Sequence, residues 1–180
     1  MSLGRVLYRV RQFSHAVWAS AAPADLEQAR SVLTPAQMAL FVGMQSSEQT
    51  HALSVYRQLL AQGETSPDLL KAALLHDVGK ICRPLRLWER VLIVLVKAIY
   101  PAQSRRWGSV DSEEAGKKTW KQAFAVAEQH PAWGAELAAE AGTSPLTVEL
   151  IRLHQDPPST AVDAEVKRLL VKLQAVDDHT

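Results

Sequence analysis

The chain has 180 residues, 47% of them hydrophobic, enough to bury the core of about one domain and contrary to repeat arrays, collagen-like chains or long disordered tails. Lys and Arg number 20 against 19 Asp and Glu, and a formal charge of +1 does not single out nucleic acid, so no stable nucleic-acid binding is expected. That total conceals blocks of +3 for residues 1–24, −3 for 25–79, +6 for 80–110, −6 for 111–165 and +1 for 166–180.

At the start, Arg5, Arg9 and Arg11 precede small and apolar residues, but Gln12, Ser14 and His15 interrupt the unbroken apolar stretch that a secretion signal needs. Leu3, Val6, Leu7, Val10, Phe13 and Val17 fall instead at helical spacing. They predict an amphipathic helix in an N-terminal extension, residues 1–33, that caps the core, with a membrane-surface role as the alternative. Thr34-Pro35 with Gln37 carries the N-cap, first-turn proline and capping-box signals for a helix to about residue 61. Ser66-Pro67 repeats the start signal for a helix through about Asp77, closed by a left-handed turn at Gly79.

Residues 85–100 contain Val91-Leu92-Ile93-Val94-Leu95-Val96, which reads as helix because no other strong strand exists to pair with it. A polar helix follows at 112–129, then one from His130-Pro131 to about Gly142 and one from Ser144-Pro145 to about Gln155. A closing helix spans 161–178, with Val162, Val166, Leu169, Leu170, Leu173 and Val176 at helical spacing. Short connections and the lack of a Pro/Gly/Ser-rich linker predict a single all-α domain over residues 1–180. The one cysteine, Cys82, fits a reducing compartment, and a cytoplasmic location is expected.

Within the basic block, Arg86, Arg90 and Lys97 share one face of the predicted helix, and the opposite face is apolar. Trp88, Tyr100 and Trp107 lie around it, and the stretch 91–100 is too short to span a membrane. Three uses are open: burial against the domain with the arginines solvated, a homodimer interface through 85–100, or peripheral contact with an anionic membrane or a lipid-like phosphate.

His51, His76, His130 and His154 all fall on or at the ends of predicted helices, with Asp77 beside His76 and Asp177 near the end of the chain. Adjacent side chains in a last helical turn point about 100° apart, so His76 and Asp77 can share one metal only if it lies beyond the helix end. A carboxylate at that position opposes the negative end of the helix dipole, which a bound cation relieves.

The string Leu74-Leu75-His76-Asp77-Val78-Gly79-Lys80, with His51 before it and Asp177 after it in Leu173-Gln174-Ala175-Val176-Asp177, resembles the defining motif of the HD superfamily of metal-dependent phosphohydrolases. The resemblance covers roughly residues 46–178, which it implies are the metal-site core of a globular helical domain of the HD type. It implies a first metal held by His51, His76, Asp77 and Asp177, with Asp178 as a competing last ligand. It further implies a second metal held by His130 and His154, as in two-metal members, with Asp77 bridging. Mixed nitrogen and oxygen ligands suit one or two divalent ions of Mn, Fe, Ni, Co or Zn rather than Ca.

Asp77 and Lys80 are the catalytic residues this implies, Asp77 holding or deprotonating a metal-activated water and Lys80 contacting phosphate. The plain alternative for Lys80 is a cation serving the helix dipole. Arg83 and Arg86 follow closely enough to attract an anionic substrate toward the metals. The chain departs from the cyclic-dinucleotide phosphodiesterase branch, which has a paired histidine and a Gly-Tyr-Pro signature where this sequence has His154-Gln155-Asp156-Pro157-Pro158. The implied activity is hydrolysis of a phosphomonoester or phosphodiester, a nucleotide among the candidates. The alternatives are a non-catalytic HD module that binds a nucleotide or alarmone and a protein or membrane partner, and a purely interacting helical domain.

Overall fold

A computed structural model describes residues 23–108 and 122–179, and every regular element among them is helical. The amphipathic helix expected within residues 1–17 and the start of the polar helix expected at 112 lie outside the described residues. The chain forms α1 (Pro23–Arg30), α2 (Pro35–Gly43), α3 (Ser46–Ala61), α4 (Pro67–Leu75) and a 3-10 helix at Val78–Cys82. It continues through α5 (Leu87–Ile99), α6 (Pro101–Gly108), α7 (Gln122–Glu140), α8 (Pro145–Leu153), a 3-10 turn at Pro158–Thr160 and α9 (Ala164–Asp177). Among the described residues, no helix is long and apolar enough to cross a membrane.

Local chemistry sets most helix starts. The Thr34 hydroxyl accepts from the Gln37 amide N–H, and the Gln37 side chain accepts in return from the Thr34 N–H at 3.1 Å. Ser66 caps Leu69, Ser144 caps Thr147, and Asp163 accepts from Glu165 and Val166. Each supplies a partner that a helix start lacks, typically worth about 1 kcal/mol.

The helix expected from Pro35 to about residue 61 is two helices. Met44 and Gln45 are extended, with ψ of 156° and 150°, and the Gln49 amide reaches back to the carbonyls of Val42 and Met44. In the opposite sense, no helix begins at His130-Pro131, because α7 runs straight through Pro131. Proline there removes a single N–H, the one that would meet the Ala127 carbonyl, and the remaining ladder carries the helix. The closing helix begins at Ala164, so Val162 stands fully exposed while Val166, Leu169, Leu170, Leu173 and Val176 are buried.

The main core gathers Phe41, Leu53, Leu59, Leu69, Leu74, Leu75, Leu150, Ile151 and the α9 leucines. A smaller cluster joins Leu85 and Ile93 to Phe124 and Val126 of α7, with Trp107 edge-on to Phe124 at 5.2 Å between ring centres. α5 meets this cluster with only part of its apolar surface, Ile93 buried and Leu92 and Val96 packed beside it. Arg90 and Lys97 pair with Glu48 of α3 and Glu128 of α7, and a second apolar strip, with Trp88, Leu95 and Ile99, is exposed. The expected burial of the apolar face is therefore partial, and of the basic residues Arg86 is exposed while Arg90 is held against Glu48.

The left-handed turn expected at Gly79 is also absent, since only Gly63 and Gly142 have positive φ among the described residues. Gly79 is needed for proximity: a Cβ there would lie 2.0 Å from the His130 carbonyl oxygen and 2.6 Å from the Gly134 amide nitrogen. The 3-10 helix and α7 thus touch backbone to backbone, which brings the segment after His76-Asp77 against His130. Gly79→Ala must part these backbones and should lower unfolding free energy by about 1–3 kcal/mol in urea titration. Gly43→Ala, whose added carbon meets nothing closer than 4.0 Å, should cost nothing measurable.

Candidate metal centre

Five elements bring six of the predicted side chains together. α3 carries His51, the end of α4 carries His76, and Asp77 sits at the junction with the 3-10 helix. His130 comes from the middle of α7, His154 from the C-terminal end of α8, and Asp177 from the last turn of α9. His51 Nε2 lies 2.7 Å from Asp177 Oδ1, and His76 Nε2 lies 3.4 Å from the same oxygen and 3.7 Å from Asp77 Oδ2. The other Asp77 oxygen is 3.3 Å from His130 Nε2 and 3.9 Å from His154 Nε2. His51, His76 and Asp77 each offer a ligand atom within 4.8 Å of the others, and so do Asp77, His130 and His154.

The helices themselves orient three of the imidazoles. Nδ1 of His76 donates to the Ala73 carbonyl, that of His130 to Val126 and that of His154 to Ile151, at 2.8–2.9 Å. A carbonyl only accepts, so each Nδ1 carries hydrogen and each Nε2 is the atom presented to the cluster. Nε2 of His76 and of His154 is buried without a hydrogen bond, its nearest carboxylate oxygens being too far or misaligned. An orphaned buried polar atom costs about 1–3 kcal/mol, and a metal ion would satisfy both. The buried residues His76, Asp77, His130 and His154 could hold a metal ion.

Charge is unevenly distributed over the cluster. Burial opposes ionisation of Asp77, but Lys80, His76 and His130 hold its carboxyl well below the usual range. Burial likewise opposes the charged form of His76, yet Asp77 and Asp177 carry it up to about 9. Burial, with His76 and His130 alongside, pushes His154 down to about 3, and burial lowers His130 despite the pull of the Asp77 carboxylate. Asp177, against its own burial, is held low by His76 and His51.

Lys80 Nζ donates to Asp77 Oδ2 at 2.6 Å and is partly exposed, as are His51 and Asp177, so solvent reaches the cluster from their side. Arg83 and Arg86 are not drawn into it. Arg83 donates to Glu89 at 2.9 Å, and its Nη1 is buried without a partner, while Arg86 is exposed where α5 begins. Asp177 makes the contacts to His51 and His76, and Asp178 is the exposed residue that caps α9.

Two residues near the cluster escaped the sequence reading. Gln155 places its Nε2 3.5 Å from His130 Nε2, and it also lines a cavity of about 590 Å³ with Lys97, Glu128, Pro131, Arg152 and Asp156. Glu48, one turn before His51 on α3, is buried against Arg90, and burial raises its carboxyl against the pull of Arg90 and Lys80. Its three-residue spacing from His51 is the signal that would have marked it. No family model matches the chain, and no curated protein or solved structure matches it.

Metal uptake should be coupled to protons. His76, with its value at about 9, holds a proton at pH 7 that a ligating nitrogen must lose. Calorimetric titration with Mn or Zn in buffers of different ionisation enthalpy should therefore show about one proton released per ion at pH 7, with affinity rising toward pH 9. Uptake without proton release would remove His76 from the ligand set.

Proposed function

We propose that this chain is a metal-dependent phosphohydrolase of the HD type, cleaving a phosphomonoester or phosphodiester. The observation that supports this best is the sharing of one buried carboxylate, Asp77, between two three-residue groups whose His76 and His154 Nε2 atoms have no hydrogen-bond partner. In this reading His51, His76, Asp77 and Asp177 would hold one divalent ion, and His130 and His154, with Asp77 bridging, a second. Mn, Fe, Ni, Co and Zn all suit such a nitrogen and oxygen set. Bound there, such ions supply a more acidic water and neutralise charge on phosphoryl oxygens.

The chain's own groups then have separate tasks. Asp77, ionised and with one oxygen toward each group of histidines, would hold and orient the attacking water, whose proton the ions make easier to lose. Lys80, held 2.6 Å from Asp77 on the partly exposed side, meets the incoming phosphate as a point charge. The cavity that Gln155 lines would receive the organic part of the ester, since its mixture of charged groups and Pro131 offers both hydrogen bonds and apolar contact.

Elemental analysis of protein purified without added metal, followed by a panel of phosphomonoesters, phosphodiesters and nucleotides with Mn or Ni supplied, tests this. The parent protein should retain metal and turn over at least one ester, and Asp77→Ala should lose both. Lys80→Met should keep the metal but raise KM about tenfold, the worth of one charge-assisted hydrogen bond. Stoichiometric metal with no turnover would assign the site to a non-catalytic binding module. No metal under any loading would sink both readings.

A further inference from the structure

α5 packs Ile93, Leu92 and Val96 toward α7 and leaves a second apolar strip facing outward. Trp88 (52% exposed), Leu95 (40%), Ile99 (63%) and Tyr100 (64%) all face solvent. Trp88, Leu95 and Ile99, at spacings of seven and four residues, form one stripe along the helix. On the other side Glu89 is buried, and Arg90 and Lys97 are engaged with Glu48 and Glu128. An apolar stripe rimmed by charge marks a contact with another body.

We propose that this stripe docks on an anionic lipid bilayer, with α5 lying in the plane of the interface. From Trp88 to Ile99 the helix rises roughly 16 Å, well short of a membrane core, and suits a helix sunk along the headgroup boundary. Trp88 stands at the start of the helix and Tyr100 just beyond its end, and these are the two residue types that settle at that boundary.

Charge selects lipid over a second copy of the chain. The block of residues 80–110 carries +6, and among the described residues Asp77, Glu48 and Glu128 are carboxylates from elsewhere that pair with it. A two-fold dimer through this face would set that positive charge against itself, whereas anionic headgroups oppose it with the complementary sign. Arg86 is exposed beside the start of the stripe, and Arg106 is exposed on α6 beyond Tyr100. The docking does not depend on the proposed hydrolase activity.

The test is sedimentation of the full chain with vesicles of phosphatidylcholine alone and of phosphatidylcholine with phosphatidylglycerol, at physiological salt. The bound fraction should rise with the anionic lipid. Leu95→Glu combined with Ile99→Glu should weaken apparent affinity by about tenfold or more. Arg86→Glu should weaken it less, by an amount that fades as salt is raised. All three side chains are exposed, so these variants should melt at the parent temperature. Equal binding to neutral and anionic vesicles would overturn the proposal, as would unaltered binding by the double variant. So would a dimer in sedimentation velocity that Leu95→Glu dissociates. Absence of vesicle binding overturns it as well, and a lowered melting temperature of the double variant would then assign the stripe to a cover made by the chain itself.

Discussion

Asp77 is a carboxylate almost without water, 5% exposed in the middle of a helical protein, and the arrangement around it follows from the need to compensate that charge. It occupies the junction where α4 has ended and the 3-10 helix begins, yet its side chain makes no capping bond to the backbone that follows. The carboxylate is turned instead toward Lys80 on one oxygen and His130 on the other, with His76 and His154 just beyond. Three helices meet this demand with the same device, a carbonyl of the preceding turn that takes the Nδ1 proton and leaves Nε2 facing inward. The cost of gathering these groups without water is concentrated in His76 and His154, whose inward nitrogens have nothing to bond.

Such a cluster requires backbones to come closer than ordinary side chains permit. Gly79 and Gly134 remove the Cβ atoms where the 3-10 helix crosses α7, and this crossing sets the distance between the His76-Asp77 junction and His130. Pro131, directly after His130, is compatible with the same crossing because α7 needs only one fewer amide donor there. The site therefore rests on two glycines with no ligand chemistry of their own.

Much of this was legible from local chemistry. Thr34, Ser66 and Ser144 each start a helix by an interaction that spans three residues, and the apolar spacing of Val166 to Val176 places Asp177 beside a buried stripe without knowledge of the fold. The His-Asp pair stood out because a carboxylate at a helix end needs a reason. What could not be read depends on partners distant in sequence. Gly79 carries the same letter whether it serves a left-handed turn or a close crossing, and only α7 decides between them. Gln155 reaches His130 across a separation of 25 residues. For α5, periodicity defines two faces but not which one the protein covers. Glu48 and Glu128, each on a different helix, claim Arg90 and Lys97, and the helix covers Ile93 while leaving Trp88, Leu95 and Ile99 exposed.

This pairing also changes the meaning of the alternating charge blocks. A basic segment of +6 beside the His-Asp pair suggested a field that gathers anions, but Arg90, Lys97 and Arg83 are each tied to a carboxylate within the fold. An ion pair at this range presents a dipole to its surroundings and attracts a distant anion much less than a bare cation does. Lys80 differs from the others because its carboxylate partner is Asp77 itself, at the partly exposed mouth of the cluster. Under the proposed function, a phosphate arriving there would compete for the same ammonium, and a divalent ion drawn to Asp77 would loosen the pair and free Lys80 for it. The attraction such a substrate would meet is then held at a lysine coupled to the cluster, while Arg83, Arg90 and Lys97 are occupied by carboxylates of the fold.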